Sequence, residues 1–154
     1  MRIFHVVHQY VPDHVAGTEL YTQQIARRQA EGGHHVAVFA PVNRRGGAAA
    51  PVVEDGVRVY RAQAGKRNAT AVFGSTFHHP ALAAALFTAL EAEQPDVIHL
   101  QHLMGIPAGA VDRLRESGVP YVISLHDYWY GCANGQLLTN DTAQLCAGPN
   151  IRHH

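Results

Sequence analysis

The chain has few cysteines, no excess of charge of either sign and no long apolar run. Two cysteines in 154 residues do not make the disulfide framework of a small secreted domain, so we expect a cytoplasmic location. Lysine plus arginine equals aspartate plus glutamate, at 12 each, and no basic cluster stands out, which argues against nucleic acid as a partner. The apolar runs are too short to span a bilayer, and the N-terminus reads as a strand rather than a signal peptide.

Several short functional motifs are also missing. The dinucleotide fingerprint G-x-G-x-x-G, the phosphate loop G-x-x-x-x-G-K-[ST] and the nucleophile motif G-x-S-x-G do not occur. Cys132 and Cys146 are followed by His153 and His154, but the paired C-x₂-C spacing of a structural zinc site is absent. We therefore expect no metal, with a zinc-stabilised interaction domain as the weaker alternative.

Five apolar runs predict strands, and helical patterns lie between them. Most of the runs are continuous and rich in valine and isoleucine, which is typical of strands buried on both faces of a parallel sheet. The alternation predicts a single α/β domain with a Rossmann-like, doubly wound, mainly parallel sheet of about five strands. The predicted strands are Ile3–Gln9, His35–Pro41, Val57–Arg61, Val97–Leu100 and Tyr121–Leu125.

Three helices are predicted. Thr18 is placed as the N-cap of a helix to about Ala30, a second helix follows Pro80, and a third runs from Pro107 to Ser117. Three leucines at a spacing of four lie on one face of the second helix: Leu82, Leu86 and Leu90.

Two segments show no helical or strand pattern. Residues 43–54 predict a mobile loop, so the second and third strands would join without a helix. Residues 129–154 are longer than the loops of compact domains usually are. We expect residues 1–154 to form one domain whose tail, 129–154, is irregular and incomplete.

Ligands of open α/β sheets bind at the carboxyl ends of the strands, and three of these ends carry candidate groups. After the first strand, Gly17 would let a ligand approach the backbone, and the helix from Thr18 would offer free N–H groups; the alternative is an ordinary turn. After the fourth strand, His102 is the better candidate for the cleft, whereas His99 fits a satisfied core histidine.

The third end is the stretch HDYWYGC, residues 126–132. It combines His126 and Asp127 with aromatic rings at Tyr128, Trp129 and Tyr130, whose flat faces suit a sugar or a base. The alternative is that the aromatic side chains cover the core and that Asp127 caps a turn. From residue type and position alone, both interpretations remain open.

Three stretches together resemble the N-terminal domain of glycosyltransferase family 4, the retaining, nucleotide-sugar-dependent enzymes with the two-domain GT-B fold. MRIFHVVHQYVPDHVAGTELYTQQIARRQAEGGHHVAVFAP resembles the opening strand, glycine loop, helix and second strand of that family. PDVIHLQHLMGIP resembles its D-V-(I/V)-H-x-H segment, and VPYVISLHDYWYGCANGQLLTND with the later CAGP resembles a segment of one branch. The resemblance covers nearly the whole chain.

The resemblance implies roles for individual residues. His126 would contact the donor sugar and is the candidate catalytic residue, and Gly17 with Thr18 would lie against the diphosphate or the acceptor. His102, Asp127 and the aromatic residues Tyr128 and Trp129 would line the acceptor side. The chain has AGTE where many members have G-G-x-E, so Ala16 leaves less backbone freedom than a glycine would.

The resemblance also implies what the function requires beyond this chain. The family holds its nucleotide sugar mainly through a C-terminal domain with an E-x₇-E motif, which does not occur here. We therefore expect this chain to act with such a domain, to be inactive in isolation, and to use no cofactor or catalytic metal. A glycan, a small molecule or a lipid-linked acceptor would be the second substrate, the last implying peripheral membrane association. The alternative is a freestanding glycan- or nucleotide-binding or partner-docking module.

Overall fold

The computed structural model describes residues 1–43, 50–65, 68–132, 135–139 and 142–146. The chain divides into two compact units, Met1–Ser124 and Leu125–His154. All helices and strands among the described residues lie in the first unit: β1 (Arg2–Val6), α1 (Gly17–Glu31), β2 (His35–Val42), β3 (Val52–Glu54), β4 (Val57–Gln63), α2 (Ala69–Phe77), α3 (Pro80–Glu93), β5 (Val97–Leu100), α4 (Ala108–Glu116) and β6 (Tyr121–Ile123). In the second unit, Leu138 and Leu145 form an isolated bridge.

The six strands form one sheet in the order β3-β4-β2-β1-β5-β6. Every neighbouring pair is parallel except β3 and β4, which confirms the predicted Rossmann-like α/β class. The chain order of the strands reverses direction between β1 and β5. This is the topological switch point, where open α/β sheets bind their ligands.

The core lies on both faces of β1 and β2, as their continuous apolar runs predict. Alternate residues of β2, Val36 and Val38, join Ala26 of α1 in one buried cluster, while Phe39 points to the opposite face of the sheet and is 1% exposed. The leucine face of α3 is confirmed, since its three leucines are at most 9% exposed. Pro80 begins this helix, and His79 Nδ1 caps it by accepting the Leu82 N–H at 3.1 Å.

A buried glutamate ties the amino ends of the strands together. Glu93, at the end of α3, has a side chain that is 3% exposed. Its carboxylate accepts hydrogen bonds from Arg58 at 2.6 Å, from His35 at 2.6 Å and from the Tyr60 hydroxyl. Arg2 lies 3.7 Å away. The sequence analysis did not predict this cluster.

The segment 43–54 contains a strand that the sequence analysis missed. β3 pairs antiparallel with β4 through the turn Asp55-Gly56, whose φ angles of 49° and 79° are both positive. An Asp-Gly pair between apolar residues is a strong hairpin signal. The loop prediction is therefore wrong for Val52–Glu54, although no helix joins β2 and β4 among the described residues, and residues 44–49 lie outside them.

Other predicted elements differ from the observed ones at particular residues. α2 was not predicted, although Asn68 is a strong N-cap whose side chain accepts the Ala71 N–H at 2.9 Å. Thr18 is not the N-cap of α1, because the helix begins at Gly17 after Ala16. β6 was expected to be buried on both faces, but its three residues are 42–52% exposed because it is an edge strand.

Candidate functional site

The strands on either side of the switch point carry the same histidine spacing. In β1 and the residues after it the pattern is His5-x-x-His8, and in β5 and the residues after it the pattern is His99-x-x-His102. His5 lies directly opposite His99 in the parallel register. The two strands therefore produce two layers of paired imidazoles, one within the sheet and one just beyond its carboxyl edge.

The inner layer pairs the fully buried His5 with the half-buried His99. The rings are 4.9 Å apart, and His5 Nε2 donates to Gln29 at 2.7 Å while its Nδ1 accepts from Gln101 at 3.1 Å. Burial, opposed by the Gln29 hydrogen bond and supported by nearby His99, lowers the pKa of His5 to about 4. His99 bonds Ser124 at 2.8 Å, as expected for a satisfied core histidine.

The outer layer, His8 and His102, lies at the switch point itself. The two rings are tilted by 41° to each other with centroids 4.4 Å apart, and both residues are at most 7% exposed. His102 Nδ1 accepts the backbone N–H of Met104 at 3.2 Å. In the neutral ring this bond puts the proton on Nε2, so His102 is held as a hydrogen-bond donor.

Glu19 joins this pair to the first turn of α1. Its side chain is 2% exposed, and Oε1 lies 3.7 Å from His8 Nε2. Its other oxygen, Oε2, is buried without a hydrogen-bond partner among the described residues. A buried carboxylate oxygen left without a donor is rare and points to an interaction that the described residues do not supply.

Sequence reasoning missed both His8 and Glu19 as site residues. His8 was assigned to the interior of the first strand, but β1 ends at Val6, and this places His8 in the edge layer. Glu19 lies in the first turn of α1 and was not predicted to contribute to a site. The repeated H-x-x-H pattern in two parallel strands is the signal that could have identified the pairing.

Gly17 and Thr18 lie at the start of α1, directly before Glu19. The N-cap Ala16 makes no side-chain hydrogen bond, so no cap side chain occupies the N–H groups of the first turn. Gly17 is exposed, and a Cβ added there would meet no atom within 4 Å. The fold does not require a glycine here, and the expected contact of Gly17 with a ligand stays a prediction.

The second unit contains the HDYWYGC stretch, and its local structure is a compact turn. Asp127 Oδ1 accepts the Trp129 N–H at 2.8 Å, which supports the interpretation of Asp127 as a turn cap. Trp129 packs edge-to-face on Tyr130 at 5.2 Å. Tyr128 is 59% exposed, and His126 is half-buried. These residues are described within their own unit, so their expected roles at the site stay predictions.

The thiols belong to this second unit as well. Cys132 and Cys146 are half-buried, and their backbone N–H groups donate to Tyr128 and Leu137. Over the described part of the chain, no three histidine, cysteine or acidic side chains are grouped as they would be around a metal ion. His153 and His154, which completed the zinc alternative, lie outside the described residues.

One groove of the first unit is lined by none of these histidines. It measures about 510 Å³ and lies between α3 and α4, where Arg113 stacks 3.8 Å over the ring of Phe87. Its walls include Gln94 and Pro95, which precede β5, so it opens toward the amino edge of the sheet. We place the candidate site at the switch point, because the unsatisfied carboxylate and the paired imidazoles are there.

Comparison with protein families identifies the domain. The profile of the glycosyl transferase 4-like domain matches residues 16–152. The chain belongs to this family. The glycosyltransferase resemblance seen in the sequence is thereby confirmed. No curated protein matches the chain.

A solved structure shows the same fold in a glycosyltransferase. The chain is similar to sucrose-phosphate synthase from Thermosynechococcus elongatus, with a TM-score of 0.59 and 15% sequence identity. The match covers 80% of this chain and 32% of that chain, so the glycosyl transferase 4-like domain described here spans about a third of the matched enzyme. At this identity the likeness concerns the fold. None of the described helices has the length and apolar character needed to cross a membrane.

Proposed function

We propose that this glycosyl transferase 4-like domain is the acceptor-side half of a retaining, nucleotide-sugar-dependent glycosyltransferase. It would transfer a sugar to a glycan, a lipid or a small-molecule acceptor in the cytoplasm, and would use no catalytic metal. The observation that carries the proposal is the group His8, Glu19 and His102 at the switch point, in a domain of this family.

The chemistry of the group suits recognition of a hydroxyl-rich substrate. His102 is held as an Nε2–H donor by Met104, and Glu19 has an oxygen that still needs a donor. A sugar hydroxyl both donates and accepts, so such a pair suits it better than two donors or two acceptors would. The uncapped first turn of α1 adds backbone N–H groups for a phosphate oxygen.

The proposed mechanism relies on positioning and electrostatic support rather than on a protein nucleophile. The leaving diphosphate takes the proton of the acceptor hydroxyl, and the two walls of the cleft position donor and acceptor and support the transition state electrostatically. His126 orients the donor sugar as a neutral hydrogen-bonding group. Because positioning needs both walls, residues 1–154 alone should show no turnover.

A transfer assay on the isolated chain tests this half-enzyme hypothesis. Purified residues 1–154 are mixed with UDP- and GDP-sugars and candidate acceptors, and release of the nucleoside diphosphate is measured. We expect no turnover from this chain and turnover once a C-terminal nucleotide-sugar domain is present. Clear turnover by the isolated chain would show that the second domain is dispensable.

The second candidate function is a non-catalytic binding module. The exposed β6 edge, which offers a surface for another polypeptide, favours it. The two functions predict different affinities for the isolated chain. A binding module should bind a nucleotide or glycan with full affinity when residues 1–154 are on their own. Calorimetry with residues 1–154 distinguishes them, because the half-enzyme proposal expects only weak donor binding.

His126→Ala tests the residue on which the catalytic assignment depends. Loss of one positioned hydrogen bond to the reacting sugar lowers turnover by about 100-fold or more, so we expect transfer by the two-domain protein to be abolished with the fold retained. His78→Ala, at an exposed histidine of the first unit, is the matched control. If His126→Ala unfolds the protein, His126 is structural and the assignment fails.

A further inference from the structure

The loop after β5, which begins next to His102, is folded into a tight turn. The Ile106 N–H donates to the Leu103 carbonyl at 2.9 Å, and Gly105, the third residue of the turn, has a φ of 73°. A positive φ at this position is typical of a type II turn and favours glycine there. The second residue, Met104, donates its N–H to His102 Nδ1 at 3.2 Å. The turn therefore supplies the hydrogen bond that decides which nitrogen of His102 carries the proton.

Helix α2 holds the central peptide of this turn with one hydroxyl group. Thr76 Oγ1 accepts the Gly105 N–H at 3.1 Å and donates to the Val72 carbonyl, also at 3.1 Å. The bond to Val72 lies within the helix and directs the hydroxyl proton away from the turn, so an oxygen lone pair is left for Gly105. Gly105 is buried, and a buried N–H that loses its acceptor is costly.

We infer that Thr76 is a positioning residue for His102 and acts through the turn at Gly105. The central peptide has opposite orientations in type I and type II turns, and the Gly105 N–H meets the Thr76 hydroxyl in the observed orientation only. By selecting this orientation, Thr76 holds Met104 where its N–H keeps His102 Nδ1 as a hydrogen-bond acceptor. The proton of the neutral ring then stays on Nε2.

The effect on transfer rests on the proposed function, in which the Nε2–H of His102 donates to a hydroxyl of the acceptor substrate. A ring that exchanges between both tautomers presents this donor for only part of the time, and the apparent affinity for the acceptor substrate falls by that fraction. Thr76→Val should therefore raise the KM for the acceptor substrate about tenfold, as expected for one hydrogen bond. The KM for the nucleotide sugar should stay unchanged. A general loss of folded protein would instead lower the rate without changing either KM.

Nitrogen NMR of the imidazole rings tests the positioning without reference to transfer. Residues 1–154 are labelled with ¹⁵N, and long-range ¹H–¹⁵N spectra at mildly alkaline pH distinguish protonated from unprotonated ring nitrogens. His102→Gln identifies the signals of His102 among the 12 histidines. We expect the unaltered protein to show a single tautomer of His102, with the proton on Nε2. Thr76→Val keeps the branched shape but removes the hydroxyl, and should give a mixture of both tautomers.

Two neighbouring substitutions serve as controls. Thr76→Ser keeps the hydroxyl and should retain both the single tautomer and the KM for the acceptor substrate. Serine can bond back to its own helix in the same way, as Ser75 does to the Ala71 carbonyl at 2.6 Å. Ser75→Ala removes this second hydroxyl of α2, whose bond lies within the helix, and should change neither quantity. If Thr76→Val does not fold, Thr76→Ala removes the same hydroxyl with a better helix-forming residue.

The spectrum of His102 decides the outcome. A single, unchanged tautomer in a folded Thr76→Val or Thr76→Ala variant would overturn the inference, and so would a mixture of tautomers in Thr76→Ser or Ser75→Ala. A mixture in Thr76→Val with an unchanged KM for the acceptor substrate would leave the positioning by Thr76 intact and count against the proposed function alone.

Discussion

A buried glutamate lies at each edge of the sheet, and the two carboxylates differ in how many hydrogen-bond donors contact them. At the amino edge, Glu93 accepts hydrogen bonds from Arg58, His35 and Tyr60. At the carboxyl edge, Glu19 has His8 at 3.7 Å from one oxygen, while the other has no donor among the described residues. Because an unsatisfied buried carboxylate lowers stability, we expect Glu93 at the amino edge to contribute more to stability than Glu19 at the carboxyl edge.

The protonation of Glu93 agrees with this division. Burial by itself raises the pKa of Glu93, but the hydrogen bonds from Tyr60, His35 and Arg58 outweigh it and hold the pKa below its usual value. The carboxylate therefore stays ionised at neutral pH. Its contribution to stability is present above the unfolded pKa and is lost as the pH falls through the lower, folded pKa.

Replacing the buried glutamate by glutamine should have opposite effects on stability at the two edges. The larger effect is expected at the amino edge, for Glu93→Gln. Glu93→Gln removes the charge that Arg58, His35 and Tyr60 contact, and should lower the free energy of unfolding by about 3 kcal/mol. Urea unfolding at pH 7 measures this. Glu91→Gln, at an exposed position of the same helix, is the control and should change it by under about 0.5 kcal/mol. An unchanged Glu93→Gln variant would remove the contrast between the edges.

His5 of the inner histidine layer should make the stability of the protein depend on pH. The pKa of His5 is about 4 in the folded protein, below its ordinary value of 6.5. Between these two pH values, the unfolded state therefore binds the proton more readily than the folded state does. Stability is complete above pH 6.5 and falls as the pH is lowered, by about 2 kcal/mol between pH 6.5 and 5. The measurement is urea unfolding across that range.

His5→Gln is the reference for this titration. Glutamine keeps a donor and an acceptor between Gln29 and Gln101 but does not titrate, so the variant should lose this part of the pH dependence. Apart from His99, whose ring lies 4.9 Å from that of His5, the other histidines contribute equally to both proteins. The difference between the two curves therefore reports His5 and its coupling to His99. Parallel curves would show that His5 is not the group responsible.

At the carboxyl edge, Glu19→Gln should raise stability or leave it unchanged. The substitution removes a buried charge that lacks a full set of donors, and we expect a gain of up to about 1 kcal/mol. Transfer by the two-domain protein should fall, because the glutamine amide is a poorer acceptor than the carboxylate. Glu31→Gln, exposed at the other end of α1, should alter neither. A loss of stability comparable to that of Glu93→Gln would make the two edges alike.

The sequence predicted the strands that form the carboxyl edge, but it did not predict the Glu93 cluster at the amino edge. The difference follows from how far apart the contacting residues are in the sequence. Local periodicity predicted the strands around His102 and the leucine face of α3, because those patterns repeat within a few residues. The Glu93 cluster joins partners 33–91 residues apart, and no local pattern encodes such contacts. The hairpin at Asp55-Gly56 did have a local signal, which was overlooked in a segment rich in glycine and alanine.

The smallest expected effect on stability is at Gly17, and it separates ligand contact from folding at the carboxyl edge. A Cβ at Gly17 or at Gly109, both near the start of a helix, would meet no atom within 4 Å. Gly17→Ala and Gly109→Ala should therefore each stabilise the protein by about 0.5 kcal/mol through a less flexible unfolded chain. Only Gly17→Ala should weaken transfer, because its methyl group occupies the space where the ligand approaches α1. Equal transfer rates in the two variants would show that this turn is an ordinary strand–helix connection.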